Sequence, residues 1–194
     1  MELRLVTAPA AGPLALDEAK AHLRVDSAAE DFAIEVLLAA AVQHVESLTH
    51  RALMPQVWSV TLPAPAWCDW RRATSFGLPY APLRAVTLVE TLDSADVATV
   101  VPSTLYRVSA PSGPFASAGA ITRLDGWAWS SDRLRITYAA GYANADEVPR
   151  ALKAAILLVL GDLFENREGG SQGKAYVVNP TVERLIKPFI VSWP

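Results

Sequence analysis

The chain has 194 residues, 52% of them hydrophobic and only 19% charged, with a formal net charge of -3. The charged share lies below the roughly 25% usual for soluble proteins, so part of the surface is expected to be hidden against other protein. The weak negative charge excludes the global basic field that drives phosphate-backbone binding, and the single cysteine, Cys68, excludes an intramolecular disulfide or a cysteine-rich metal site.

The N-terminus MELRLVTAPAAG has Glu2 among its first residues and no sustained apolar run, so it is not read as a secretory signal and a cytosolic origin is expected. Leu14 to Val25 is predicted as a short helix with Asp17 as its N-cap and Ala19, Leu23 and His22 facing inward. Ser27 followed by Glu30 forms the Ser-x-x-Glu pattern that opens a second, longer helix. Its apolar positions Phe32, Val36, Leu37, Ala40, Ala41, Val45 and Leu48 recur at three- and four-residue spacing and predict the inward face. Ala39, Ala40 and Ala41 leave room for a second helix to approach closely.

From Val57 the period changes to two. Val57–Leu62 alternates and is rich in β-branched residues, and Val86–Val89, Thr99–Val101, Tyr106–Ser109, Ala120–Leu124 and Leu134–Tyr138 are further predicted strands. Turn residues separate them at Asp93-Ser94, at Pro111 to Pro114 and at Asp125-Gly126. Glu147 to Gly170 then gives an axis helix, with Pro149 at its first position, Asp146 and Glu147 at its positive end, Arg167 in its last turn, and Gly169-Gly170 as its exit. Its interior, Ala151 to Leu160, is apolar almost all round, as expected of a helix covered on every side. A short helix over Thr181–Ile186, stopped by Pro188, precedes the apolar tail Phe189 to Pro194. The expected fold class is α+β, a small helical bundle with an inserted antiparallel β lobe. The N-terminal helical part is 1–56, the β lobe 57–140, and the C-terminal helices and tail 141–194, packing with 1–56.

Few of these residues have a pattern that points to chemistry. His44 and His50 lie six apart, not the four that would aim both imidazoles at one ion, and Glu46 and His50 are spaced to pair on a helix surface. The stretch Gly169 to Lys174 lacks the leading strand, first glycine and following Ser or Thr of a phosphate loop. No catalytic residue, metal ligand or cofactor site is assigned. The loop Trp67-Cys68-Asp69-Trp70-Arg71-Arg72 and the pair Trp127 and Trp129 are the conspicuous aromatic candidates. They are read either as caps on the β lobe or as an interface. The tail poses the same choice, since exposed Phe189, Ile190 and Trp193 would form an unusual patch for a monomer.

Taken in order, LALDEAKAHLRVD, the Ala-rich helix ending in ESLTHRAL, TYAAGY, VPRALKAAILLVLGDLFENRE and the closing PTVERLIKPFIV resemble the head–tail connector (adaptor) proteins of long-tailed phages, prophages and gene transfer agents. One departure is that the family commonly has Thr-Gly-Arg where this chain has Thr49-His50-Arg51, so a positive φ there would place modest strain on His50. The resemblance implies a homo-oligomeric ring, a dodecamer, below the portal protein of a capsid. Such a ring extends the DNA channel without reading sequence and docks a stopper or tail-terminator protein, with no membrane partner and no enzymatic activity. The chain would assemble in the cytoplasm and end in the particle neck. Within that picture Lys187, Phe189, Ile190, Val191 and Trp193 are the expected portal interface, and Trp67, Trp70, Arg71, Arg72 and Trp127 meet an adjacent subunit or the next component. Two rival readings are a carbohydrate-binding module built on Trp67, Trp70, Trp127 and Trp129, and a small enzyme using His22 or His44.

Overall fold

Alternation in the strands and three-to-four spacing in the helices divide the apolar residues into two cores, one β and one helical. The computed structural model describes residues 1–63, 75–125, 127, 133–166 and 179–192. Its strands are β1 (Glu2–Thr7), β2 (Gln56–Leu62), β3 (Ser75–Gly77), β4 (Leu83–Leu92), β5 (Ala98–Val100), β6 (Tyr106–Ser109), β7 (Ala120–Arg123) and β8 (Arg133–Ala140). Its α-helices are α1 (Leu16–Leu23), α2 (Asp31–Thr49), α3 (Arg150–Glu165) and α4 (Pro180–Ile186).

The larger sheet runs β1-β2-β8-β4-β5 and the smaller β3-β7-β6, every ladder antiparallel. Strand β8 is central. Leu134, Ile136, Tyr138 and Ala140 are fully buried on one face while Arg133, Arg135 and Thr137 alternate on the other, the period of two that a half-buried strand requires. Val60 and Val89 both lie opposite Ile136, so a row of branched side chains crosses three strands. Strands β1 and β3 have no counterpart among the predicted elements. Leu3 lies opposite Val60, and residues 2–7 therefore belong to the β lobe and not to the helical part expected over 1–56. A single edge strand with one half-buried residue leaves little periodic signal.

In the helical lobe α3 packs against α1, α2 and α4, so it is the axis that its composition suggests. Leu152, Ala155, Ile156 and Leu160 are completely buried, and Leu157, Leu158 and Val159 are half-buried. Pro149 is the N-cap and not the first helical residue, and the helix closes at Asn166, whose side-chain amide donates to the Asp162 carbonyl at 2.9 Å. Arg167, Gly169 and Gly170, the predicted exit, lie outside the described residues. Helix α1 is capped at Ala15, whose N–H donates to Glu18 at 2.8 Å; Asp17 sits in the first turn, and His22 is exposed. Lys20, beneath that turn, pairs with Asp31 at 2.6 Å and fastens α1 to the start of α2. Pro188 does not end the last helix abruptly, because a 3-10 turn carries the chain on from Lys187 to Phe189.

Helix α2 differs most from expectation. It buries Ile34, Leu38, Ala41, Val45 and Thr49, whereas Phe32, Val36 and Leu48 are 79%, 53% and 40% exposed. Both sets recur at helical spacing, and periodicity alone cannot choose which of two apolar stripes meets the core.

Candidate functional site

Helix α2 ends at His50 in the left-handed region, φ 53°, with its N–H donating to the Glu46 carbonyl. The strain expected for a non-glycine residue at this position is therefore present. The turn sends Arg51 inward, where its side chain is 2% exposed. Its Nε donates to the Phe189 carbonyl at 2.6 Å, Nη2 to the Ala116 carbonyl at 2.8 Å and Nη1 to the Tyr142 hydroxyl at 3.3 Å. The Tyr142 hydroxyl in turn donates to the Pro114 carbonyl at 3.1 Å. Burial lowers the Arg51 pKa, and Tyr142 partly opposes that shift; burial raises the Tyr142 pKa, which Arg51 partly offsets. Guanidinium keeps its charge under such a shift, so its N–H groups must be satisfied by the acceptors that surround it. The group thus joins the end of α2, the segment before β7, the exit of β8 and the C-terminal turn.

The C-terminal segment is docked on its own lobe. The Val191 N–H donates to the Thr49 carbonyl at 3.0 Å, and Phe189 stacks on Phe115 with centroids 5.0 Å apart. Of the residues assigned to a portal interface, Phe189 and Val191 are 5% and 8% exposed, Lys187 and Ile190 face solvent, and Trp193 lies outside the described residues. Among the described residues the tail is therefore not a free apolar hook, because Phe189 joins the helical core and Val191 is buried and bonded to the end of α2.

Glu46 does not pair with His50. Its carboxylate turns inward to accept from the Leu53 N–H at 2.7 Å and the Gln56 amide at 3.0 Å, tying the end of α2 to the start of β2. Burial raises its pKa, and these two hydrogen bonds pull it back. Trp127 is 7% exposed and sits beside Tyr106 in the β core, so it is a packing residue and cannot belong to a sugar platform. Trp67, Trp70, Arg71, Arg72 and Trp129 lie outside the described residues, as does the Gly169 to Lys174 stretch. His22, His44 and His50 are all exposed, and no group of three or more His, Cys, Asp or Glu among the described residues could hold a metal ion.

Two open concavities stand out among the described residues. One, of about 700 Å³, lies on the polar face of the larger sheet, where Arg135 pairs with Glu90 at 2.9 Å and Arg133 with Asp96. The other, of about 500 Å³, lies where the lobes meet and is walled by Pro82, Leu83, Pro111, Pro114 and Tyr142. Sequence reasoning singled out neither Arg51 nor Glu46 for these roles. The only local signal was the change from glycine to histidine beside Arg51, which marks the turn but not what the arginine reaches.

This is the class of protein in which the buried polar groups tie one segment of the chain to another and the lobes are held as one body. The family model for the phage gp6-like head-tail connector protein matches residues 14–71. No curated protein matches the chain. Among solved structures, a chain in the neck of an empty gene transfer agent particle, computed with six-fold symmetry, shares 27% identity at a TM-score of 0.80, covering 99% of this chain and 96% of that one. A chain in the virion of a native gene transfer agent particle gives 27% identity and 0.78 over the same shares. One in the native neck, computed with twelve-fold symmetry, gives 25% and 0.75. With that pattern over residues 14–71 and a fold shared over nearly its whole length with particle-neck chains, this protein is similar to the phage gp6-like head-tail connectors and has the make-up of a structural connector.

Proposed function

We propose that copies of this chain form a ring, a dodecamer, in the neck of a phage-like or gene transfer agent particle. The ring lies below the portal protein, extends the DNA channel and receives a stopper or tail-terminator protein. The observation that carries this reading is the whole-length likeness to neck chains whose structures were computed with six- and twelve-fold symmetry. The chain acts as a building block, with no chemistry or cofactor of its own, assembling in the cytoplasm before it joins the particle. A net charge of -3 suits a channel through which DNA passes without being read or retained.

The segment from Lys187 onward is the proposed portal-facing element. In its docked state Lys187 and Ile190 are exposed, Phe189 and Val191 would add to the contact if the segment were drawn away from its own lobe, and Trp193, outside the described residues, is proposed with them. The loop bearing Trp67, Trp70, Arg71 and Arg72 is the proposed contact with the next component. Imaging the necks of purified particles tests the main reading. A ring whose density takes this fold supports it, and a neck in which no ring does overturns it. Lys187→Glu combined with Ile190→Asp tests the portal assignment, since both sites are exposed and the fold should survive. Loss of attachment to filled heads is expected, and normal attachment by the double variant would remove the segment from the interface.

A further inference from the structure

The face of α2 turned away from the core carries Phe32, Val36, Ala39, Ala40, Gln43 and Ser47 along its middle, every one exposed and none charged, with Glu35 and His44 exposed at its two edges. A surface helix normally puts its charges on that side. The outer faces of the neighbouring helices do so, with Asp17 and Glu18 exposed on α1 and Glu183 and Arg184 on α4. Helix α2 and the turn before it, Ala28–Thr49, are apolar enough by length and composition to cross a membrane, yet only 28% of the most apolar 18 residues there are buried. The helix has more apolar surface than its own core uses.

We propose that this face is the apolar centre of the contact between adjacent copies of the chain. The inference rests on the ring reading above and adds which surface closes the ring. Around a rotation axis each copy must offer one patch to a different patch on the next, so the face of α2 meets another part of the neighbouring copy and not its α2. Ala39 and Ala40, with no side chain beyond Cβ, let a neighbour's backbone come close, and Phe32 and Val36 supply the anchors. From Phe32 to Ser47 the helix is roughly 24 Å long and the strip about 10 Å wide, on the order of 240 Å². A stable interface needs about 800 Å² from each partner, so this strip is its centre and polar surface forms the rim.

The test uses the full chain carrying Val36→Glu and Ala40→Glu, with Val36→Ser as a milder variant and Glu183→Lys as a control on the charged face of α4. Melting temperature, light scattering across a concentration series, and imaging of particle necks are the readouts. Expected are an unchanged melting temperature, self-association weakened at least tenfold and necks that lack the chain, with the control like wild type. Rings formed by the double variant at wild-type concentrations would overturn the inference while leaving the ring reading intact. Intact rings that have lost another neck component would overturn it too, by giving the face to a different protein. Wild-type binding to phosphatidylcholine–phosphatidylglycerol vesicles, lost in the variant, would overturn it in favour of a membrane. If wild type formed no ring in solution or in necks, the proposed function would fail, and this inference with it.

Discussion

Arg51 Nε donates to the carbonyl of Phe189, 138 residues further along the chain, at 2.6 Å. That bond lets the C-terminal turn complete a core begun by α1 and α2, and it places a full positive charge where water does not reach. Two further acceptors, Ala116 O and the Tyr142 hydroxyl, make the burial tolerable.

Arg51→Met should therefore leave the Phe189 and Ala116 carbonyls without their donor. Each hydrogen bond to a charged group is worth about 1.5–3 kcal/mol, and a loss of about 3 kcal/mol or more in urea unfolding is expected. Arg51→Lys should recover only part, because one ammonium cannot span the fork of a guanidinium. A Met variant as stable as wild type would mean that the hub contributes nothing net.

For Glu46 the sign of the pH effect follows from burial. Its folded pKa is raised, so its contribution to stability is fully present below the unfolded value near 4.3 and is lost as pH rises through the folded value. Glu46→Gln keeps an acceptor for Leu53 N–H and the Gln56 amide while removing the buried charge. Thermal melts from pH 4 to pH 8 should show the variant at least as stable as wild type at pH 7, with the difference closing toward pH 4. A variant clearly weaker at pH 7 would mean that the charge-assisted hydrogen bonds outweigh desolvation.

Among the described residues the buried Tyr138 hydroxyl has no hydrogen-bond partner, and burial raises its pKa. An unsatisfied buried hydroxyl costs about 1–3 kcal/mol, so Tyr138→Phe should raise stability by up to that amount. A drop in melting temperature would reveal a bond the hydroxyl makes in solution.

Gly141, directly after β8, holds φ +110°, and a Cβ there would lie 2.1 Å from the Met54 carbonyl oxygen. Such a backbone conformation costs a side-chain-bearing residue on the order of 1–3 kcal/mol before the clash is counted. Gly141→Ala should fall out of solution or melt well below wild type, and a soluble variant with normal melting would show that Met54 can move aside.

Much of the architecture was legible. Six of the strands were legible from alternation, most plainly β8, where every second residue is buried, although β4 extends well beyond the predicted Val86–Val89 and the three-residue β3 was not foreseen. The axis helix announced itself through apolar residues all round. The edge strand β1 was missed because only Leu3 approaches the core. Trp127 was left between two readings because a tryptophan beside a turn looks the same from either side of a sheet, and only the position of Tyr106 makes it core.

The sequence by itself determined the order of the four helices and of six strands, the broad separation into helical and β parts, and the connector pattern of residues 14–71, because each of these is carried by spacing between near neighbours. Tertiary structure alone decided which stripe of α2 is inside, that Glu46 turns to Leu53 and Gln56, and that Phe189 joins the helical core with Val191 buried beside the end of α2. Those outcomes depend on groups that meet across long stretches of chain. A local period tells a residue that it has a face, but only the packed partner tells it which way that face must point.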